Sequence, residues 1–232
     1  MEWDVNVAGV WHKLVKPAVN VAGVWHNIQQ GWVNVAGVYK QFFAAFISPT
    51  VHTYSAHGSF TETIPQGASN VVIEVWGAGG SGGAGLGTGC GIRGGAGGGS
   101  GGYSRTSVSV VGHNLQTIAL TVGTAGPPSA QSGTASTVSS GSFAVTTMTG
   151  NGGGGGATGG ASGGTGGTAS GGNAANTTGN VGQIQNSGAG GAGGTPVPGL
   201  HGTGSQGGLG ATGGSGHAGF AGSDGVIVFY YT

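Results

Sequence analysis

Residues 204–225 read GSQGGLGATGGSGHAGFAGSDG, with glycine at 204, 207, 210, 213, 216, 219, 222 and 225, eight positions out of eight. A flexible spacer has no reason to hold glycine to one phase in three. Three residues per turn is the repeat of the polyproline-II helix, which makes no hydrogen bonds of its own. Its N–H and C=O groups must therefore bond to water or to neighbouring segments. Where such helices lie side by side, each turns one residue in three toward a given neighbour. Only Gly, or at most Ala, then lets two backbones approach to bonding distance. Collagen keeps glycine in one phase for a related reason, but the intervening positions here hold Ser, Ala, Thr and Gly rather than Pro. The expected structure is a bundle of polyglycine-II helices drawn from one chain and bonded laterally.

Other tracts keep the same period. Gly or Ala stands at 154, 157, 160, 163, 166, 169 and 172, and Gly at 79, 82, 85, 91, 94 and 97 with Thr88 interrupting. Gly188, Gly191 and Gly194 form a short fourth tract ahead of Pro196 and Pro198. Bulky or proline-containing interruptions at 86–93, 125–131, 173–187 and 195–201 are the expected turns. Between the tracts lie strand-like runs at 59–64, 71–76, 103–111, 115–122, 143–148 and 226–231, which hold most of the large apolar residues. Ordering so much glycine costs about 1–2 kcal/mol of backbone entropy per residue. A β core at one end and dense bonding between helices are the expected offsets.

The first 47 residues obey a different repeat. Val5-Asn6-Val7-Ala8-Gly9-Val10-Trp11-His12 recurs at 19–26, and at 33–40 with Tyr39 in place of Trp, a step of 14 residues both times. Each copy reads as a β-hairpin: Val-Asn-Val alternates, Ala-Gly makes a two-residue turn, and Val-Trp-His returns. A lone hairpin is marginal in water, so three in series are expected to stack their Val and Trp faces or to dock on a partner. Residues 40–47 (KQFFAAFI) are expected to form a short helical turn that Pro49 ends. The expected organisation is thus 1–47 repeats, 48–57 linker and 58–232 glycine-rich domain, mainly β with little α-helix.

Composition removes several classes of function. Only 10 of 232 residues are charged and the net charge is zero, so the phosphate attraction that drives nucleic-acid binding is missing. No apolar run approaches the roughly 20 residues of a membrane span. Cys90 is the single cysteine. Residues 77–82 fit G-x-G-x-x-G after a strand, but no helix-forming sequence follows and no acid occurs between Glu74 and Asp224, so the match is one of chance. Glu2, Asp4, Glu62, Glu74 and Asp224 make no catalytic pair, and no His is spaced with a Cys or carboxylate to hold a metal. The reading is a protein that is not an enzyme and that uses no cofactor or metal.

The junction Gly58-Ser59-Phe60-Thr61, Ile64-Pro65-Gln66-Gly67 and 71–80 resembles the entry to glycine-rich domains of bacteriophage tail-fibre proteins. Residues 222–231 are similar to their last strand, and the V-N-V-x-G-V-W repeats look like those of phage virion proteins. The tracts resemble the adhesins at the tips of T-even-like long tail fibres, which carry a polyglycine-II sandwich with receptor-binding loops. The resemblance implies a virion protein at a fibre tip. Residues 1–47 would attach it to a tail-fibre or other virion protein through Trp3, Trp11, Trp25, Trp32, Tyr39, Phe42, Phe43 and Phe46. Loops on 58–232 would meet a bacterial surface receptor, protein or polysaccharide, with no nucleic acid and no membrane insertion. Candidate contact residues are those that interrupt the tracts: Ile92, Arg93, Pro127, Pro128, Ile184, Gln185, Leu200 and His201. A structural virion decoration without a receptor is the alternative, and an ice-binding glycine bundle is a more remote one.

Overall fold

The computed structural model describes residues 49–88, 91–184, 190–199, 202–203 and 217–232, and the backbone of six strands ahead of residue 45. Those six pair as three separate antiparallel hairpins: β1 (Asp4–Val7) with β2 (Val10–Lys13), β3 (Ala18–Val21) with β4 (Val24–Asn27), and β5 (Gln30–Val35) with β6 (Val38–Ala44). Register sets Val7 opposite Val10 and Asn6 opposite Trp11, and the second and third repeats match it. Because facing residues share a face and neighbours alternate, the valines lie on one face of each hairpin and the Trp or Tyr lies with Asn on the other. The expected stacking of these faces between hairpins rests on side chains that lie outside the described residues. Residues 38–44 are strand β6, which corrects the helical turn expected there; its β-branched and aromatic residues favour strand, and a register shift at Gly31/Trp32 takes up Phe42. Ala45 to Ser48 and Trp3 lie outside the described residues, as does Phe46.

Two five-stranded antiparallel sheets follow, packed face to face. One has the order β17 (Ala175–Thr177), β12 (Tyr103–Ser109), β9 (Asn70–Trp76), β20 (Val226–Tyr231), β7 (Thr50–Tyr54). The other has the order β16 (Ala169–Ser170), β15 (Met148–Gly150), β14 (Ser136–Ser140), β13 (Thr117–Val122), β8 (Gly58–Thr63). Alternation decides what goes inside. Val71, Ile73 and Val75 of β9 point between the sheets with Ile118, Val138 and Phe229, all fully buried. Each such side chain contributes about 1.5–3 kcal/mol. Strand β7 occupies the expected linker: Thr50 to Tyr54 complete the edge of the first sheet against β20, so the folded body begins earlier than residue 58. The expected strand at 143–148 is also mostly loop, with only Met148 entering β15.

Eight of the ten sandwich strands continue at one end into small-residue runs. Strand β9 leads into 77–85, β13 into 123–126, β15 into 151–157 and β17 into 178–183. Runs 94–102, 131–135, 162–168 and 217–225 come back into β12, β14, β16 and β20. A ninth run, 190–195, lies alongside. Their bonding has a period of three. The N–H groups of Gly77, Gly80 and Gly83 donate to Gly102, Gly99 and Ala96, at 2.8–3.0 Å. The N–H groups of Ala78 and Ser81 donate to Thr134 and Gln131, and those of Gly79, Gly82 and Gly85 donate to Ser223, Phe220 and His217. Successive residues thus serve three different neighbours, which is the polyglycine-II arrangement.

Glycine is required here for closeness, not for unusual backbone angles. A Cβ on Gly80 would lie 2.1 Å from the Gly154 carbonyl oxygen, and one on Gly95 1.8 Å from that of Gly83. The described glycines with positive φ are Gly58, Gly67, Gly112, Gly159, Gly160 and Gly171, at turns and strand ends. Positions 204–216 of the last tract lie outside the described residues; in 217–225 the phase matches expectation, with Gly219 and Gly222 facing the bundle, their absent Cβ atoms 2.2 and 2.3 Å from Gly82 and Gly79 oxygens. The tracts read as 79–97 and 154–172 each contain a reversal, at 86–93 and at 158–161, so each comprises two antiparallel runs. The second reversal is a 3-10 turn, Thr158–Gly160; its residues are too small to stand out from the tract in sequence.

Candidate functional site

The runs end in turns that face away from the sandwich at stepped heights, the 127–130 turn at the level of Gly82 and the 86–93 hairpin beyond Gly85. Leu86 opens the first, a small hairpin of β10 (Leu86–Thr88) and β11 (Gly91–Arg93) that sets Leu86 opposite Arg93. Leu86 is 43 % exposed, and its Cδ1 covers Gly159 of the neighbouring turn, where a Cβ would come within 2.6 Å. The second turn is Pro127-Pro128-Ser129-Ala130. Its prolines are exposed, and Ser129 (φ 83°) and Ala130 (φ 63°) both occupy left-handed backbone, which costs a non-glycine residue about 1–2 kcal/mol. Two buried anchors hold it: the Ala130 N–H donates to Gly82 O, and the Gln131 N–H donates to the Oγ of fully buried Ser81. Run 178–183 ends at Ile184, 56 % exposed, beside an open groove lined by Asn180, Val181, Gln183 and Thr195. The Asn180 amide ties that groove together by donating to both Thr195 oxygens. Phe220 projects from the flank of its run at the level of Gly82.

The sequence candidates divide accordingly. Arg93, Pro127, Pro128 and Ile184 are at these tips and exposed. Ile92 has its backbone in β11, its side chain outside the described residues, and Gln185 is outside them altogether. Leu200 and His201 are also outside, but the strands that flank them, β18 (Pro198–Gly199) and β19 (Gly202–Thr203), are not at the tips. The Trp76 Nε1–H donates to Val197 O at 2.8 Å, and Gly199 lies against the Trp76 ring. Trp76 ends its strand where the bundle begins, nine residues below Gly85, or about 28 Å at ~3.1 Å per residue. Val197 and Gly199 thus lie on the junction between sandwich and bundle, while Leu200 and His201 lie outside the described residues. Sequence reading did not single out Leu86, Phe220 and Val181, which are exposed large apolar residues of the bundle. Phe220 carried a signal, since it is the one Phe, Tyr or Trp in the tract 204–225.

The carboxylates are engaged elsewhere. Buried Glu62 accepts from Tyr54 Oη (2.7 Å) and Tyr231 Oη (3.0 Å) and sits 2.8 Å from His52 Nδ1. Burial first, then the bond to Glu62, pushes the Tyr54 hydroxyl above its ordinary value; for Tyr231, burial and then the Glu62 charge do the same. Buried Glu74 accepts from Tyr103 Oη at 2.5 Å. For Asp224 burial acts to raise the carboxyl, but the Ala125 N–H (2.7 Å) and His57 (3.0 Å) outweigh it and hold Asp224 below the usual carboxylate range. These contacts clamp sheet edges and run ends together. No group of three His, Cys, Asp or Glu that would hold a metal occurs among the described residues.

Chemically, the tips offer apolar and amide surface on a rigid frame, with Arg93 the only formal charge among the described tip residues. The base of the sandwich is different in position and similar in chemistry. Thr50, Thr232 and the loops 64–69 and 110–116 meet there, the Asn70 N–H donating to Thr232 O and the Val110 N–H to Ser69 O. The chain from the N-terminal hairpins enters at Thr50, opposite Tyr231, and so at the end remote from the tips. Comparison with known families matches residues 54–232 to the model of a glycine-rich domain. No curated protein matches the chain.

Proposed function

The chain belongs to the glycine-rich domain family over residues 54–232, and from that premise we propose that it is a non-enzymatic adhesin of a phage tail-fibre tip. In this reading the repeats at 1–47 hold a fibre or other virion protein, and the turns on the bundle touch a receptor on the bacterial surface. The observation that carries it is polarity. Eight strands feed their runs toward one end, where Leu86, Pro127, Pro128 and Ile184 are exposed, while the chain from the repeats enters at the other. A block cross-bonded through its backbone is a stiff support for loops, and loops on a rigid scaffold are where recognition concentrates.

Such a tip binds by apolar contact and hydrogen bonds, with little electrostatic steering. The test is a cell-binding assay with the purified full chain against a panel of bacterial strains, alongside virion binding. Binding to a subset of strains, reduced tenfold or more by Leu86→Ser together with Ile184→Ser and changed little between 0.05 and 0.5 M salt, supports the reading. A protein that binds virions but no cell in the panel belongs to the alternative, a structural decoration, and ends the adhesin proposal.

A further inference from the structure

Three non-glycine residues among the described ones have positive φ, and two of them are adjacent in one tip: Ser129 (φ 83°) and Ala130 (φ 63°). Left-handed backbone is unfavourable for both. Glycine adopts it freely, and this chain sets glycine at positive φ at six other described positions. The turn 127–130 forgoes it twice running. Its other half is restricted as well, since each proline ring fixes its own φ and Pro128 holds Pro127 in extended backbone. All four residues thus have few conformations open to them. Packing does not account for the choice, because Pro127, Pro128 and Ser129 are exposed.

What holds the turn lies beneath it. Ser81 is fully buried and is the one residue of 77–85 that is neither Gly nor Ala. Its Oγ accepts from the Gln131 N–H at 2.8 Å and donates to Gln131 O at 3.2 Å. A single hydroxyl therefore takes both backbone polar groups of the residue that follows the turn. The Ser81 N–H donates to the same Gln131 O at 2.9 Å, and the Ala130 N–H donates to Gly82 O at 3.1 Å. These bonds oppose the strain at 129 and 130 from inside the bundle.

Resting on the adhesin reading, we propose that the turn 127–130 is a preformed contact element of the receptor site and that Ser81 is its positioning residue. Backbone held in an unfavourable region by its surroundings points from geometry to function. Ser129 and Ala130 allow less play than glycine would, and the two prolines reach the receptor with little freedom left to lose. Such preorganisation lowers the entropy that binding costs. Two changes free the turn by opposite routes. Loss of the Ser81 hydroxyl removes the bonds that oppose the strain, and glycine at 129 and 130 removes the strain itself.

The test sets cell binding, amide hydrogen exchange and denaturant unfolding side by side for the full chain, for Ser81→Ala, and for Ser129→Gly combined with Ala130→Gly. Exchange over 127–131 is expected to rise tenfold or more in both variants, while β9 and β13 change less than twofold. Binding to strains that the unaltered chain binds is expected to fall about fivefold or more in both. The unfolding midpoint of the glycine variant is not lowered, because relief of strain offsets glycine's extra freedom in the unfolded chain. A purely structural turn would lose binding and stability together. Undiminished binding by the glycine variant overturns the inference and leaves the adhesin reading standing, and so does a fall in binding that lost stability accounts for. Should Ser81→Ala also raise exchange in β9 and β13, the glycine variant decides. No cell binding by the unaltered chain ends the reading, and the inference with it.

Discussion

The sandwich and the glycine bundle are made from the same strands extended, yet they cohere by opposite means. Between the sheets, side chains fill space, and Ile73, Ile118 and Phe229 are valuable for the volume they bring. In the bundle the runs 77–83 and 94–102 are as fully buried as that core, with no side chain larger than Ser. There the backbones themselves are the packing material, and every third N–H finds a carbonyl on a given neighbour. A net hydrogen bond is worth only about 0.5–1.5 kcal/mol, so the bundle relies on many of them and on the sandwich that aligns its runs. A missing methyl is a void in one region, and an added methyl is a collision in the other.

Single-methyl changes test that contrast most sharply. Gly95→Ala inserts a Cβ 1.8 Å from Gly83 O and 3.0 Å from Ala84 O. Since backbone cannot rotate aside as a side chain does, denaturant unfolding is expected to show a loss at or beyond the ~3 kcal/mol upper end of ordinary overpacking. Ile73→Val removes one methyl from the core and is expected to cost about 0.5–1.5 kcal/mol in the same assay. If the two losses were equal, the bundle would be as yielding as a side-chain core.

Titration separates the regions next. Tyr54 and Tyr231 are held protonated in the folded sandwich above their unfolded value of about 10. Their contribution is fully present below pH 10 and is lost as pH rises beyond it, because the unfolded chain releases the protons first. Asp224, at the start of the bundle, is depressed; its smaller contribution is present above the ordinary carboxylate value and is lost as pH falls through its folded value. Melting temperature is expected to fall on the alkaline side, less steeply in Tyr54→Phe and Tyr231→Phe, with a shallower acid-side loss that Asp224→Asn removes. The smallest effect belongs to the outward positions of the runs. Ala192, exposed on its run, is expected to accept Ser within ±0.5 kcal/mol.

What could be read beforehand follows this same division. A period of three survives in sequence because each run keeps glycine wherever a neighbour's backbone touches it, as at Gly219 and Gly222. Hairpin alternation survives for the same kind of reason, since Val7 and Val10 flank a turn and share a face. Strand β7 was illegible because an edge strand with one covered face, Thr50 to Tyr54, needs no conspicuous apolar pattern. The reversal at 158–161 was illegible because glycine serves both a run and a turn. For the candidate site, Pro127, Pro128, Arg93 and Ile184 stood out by bulk and charge; Leu86 opened an expected turn but was not singled out, because its cover over Gly159 depends on a turn distant in the chain. Val197 and Gly199 fall in a stretch read as a turn because its prolines interrupt a tract in the same way. Only Trp76, 121 residues from Val197, locates them.

The period of three also sets a rule for how such a body can change length. Deleting or duplicating three residues in each of two facing runs, such as 77–85 and 94–102, shifts a tip by roughly 9 Å and returns every later residue to its former azimuth. Adding one or two residues instead rotates the remainder by a third of a turn and drives Ala or Ser Cβ atoms into the lattice. Inherited insertions in the runs should therefore come in multiples of nine nucleotides, while the turns between them can lengthen freely.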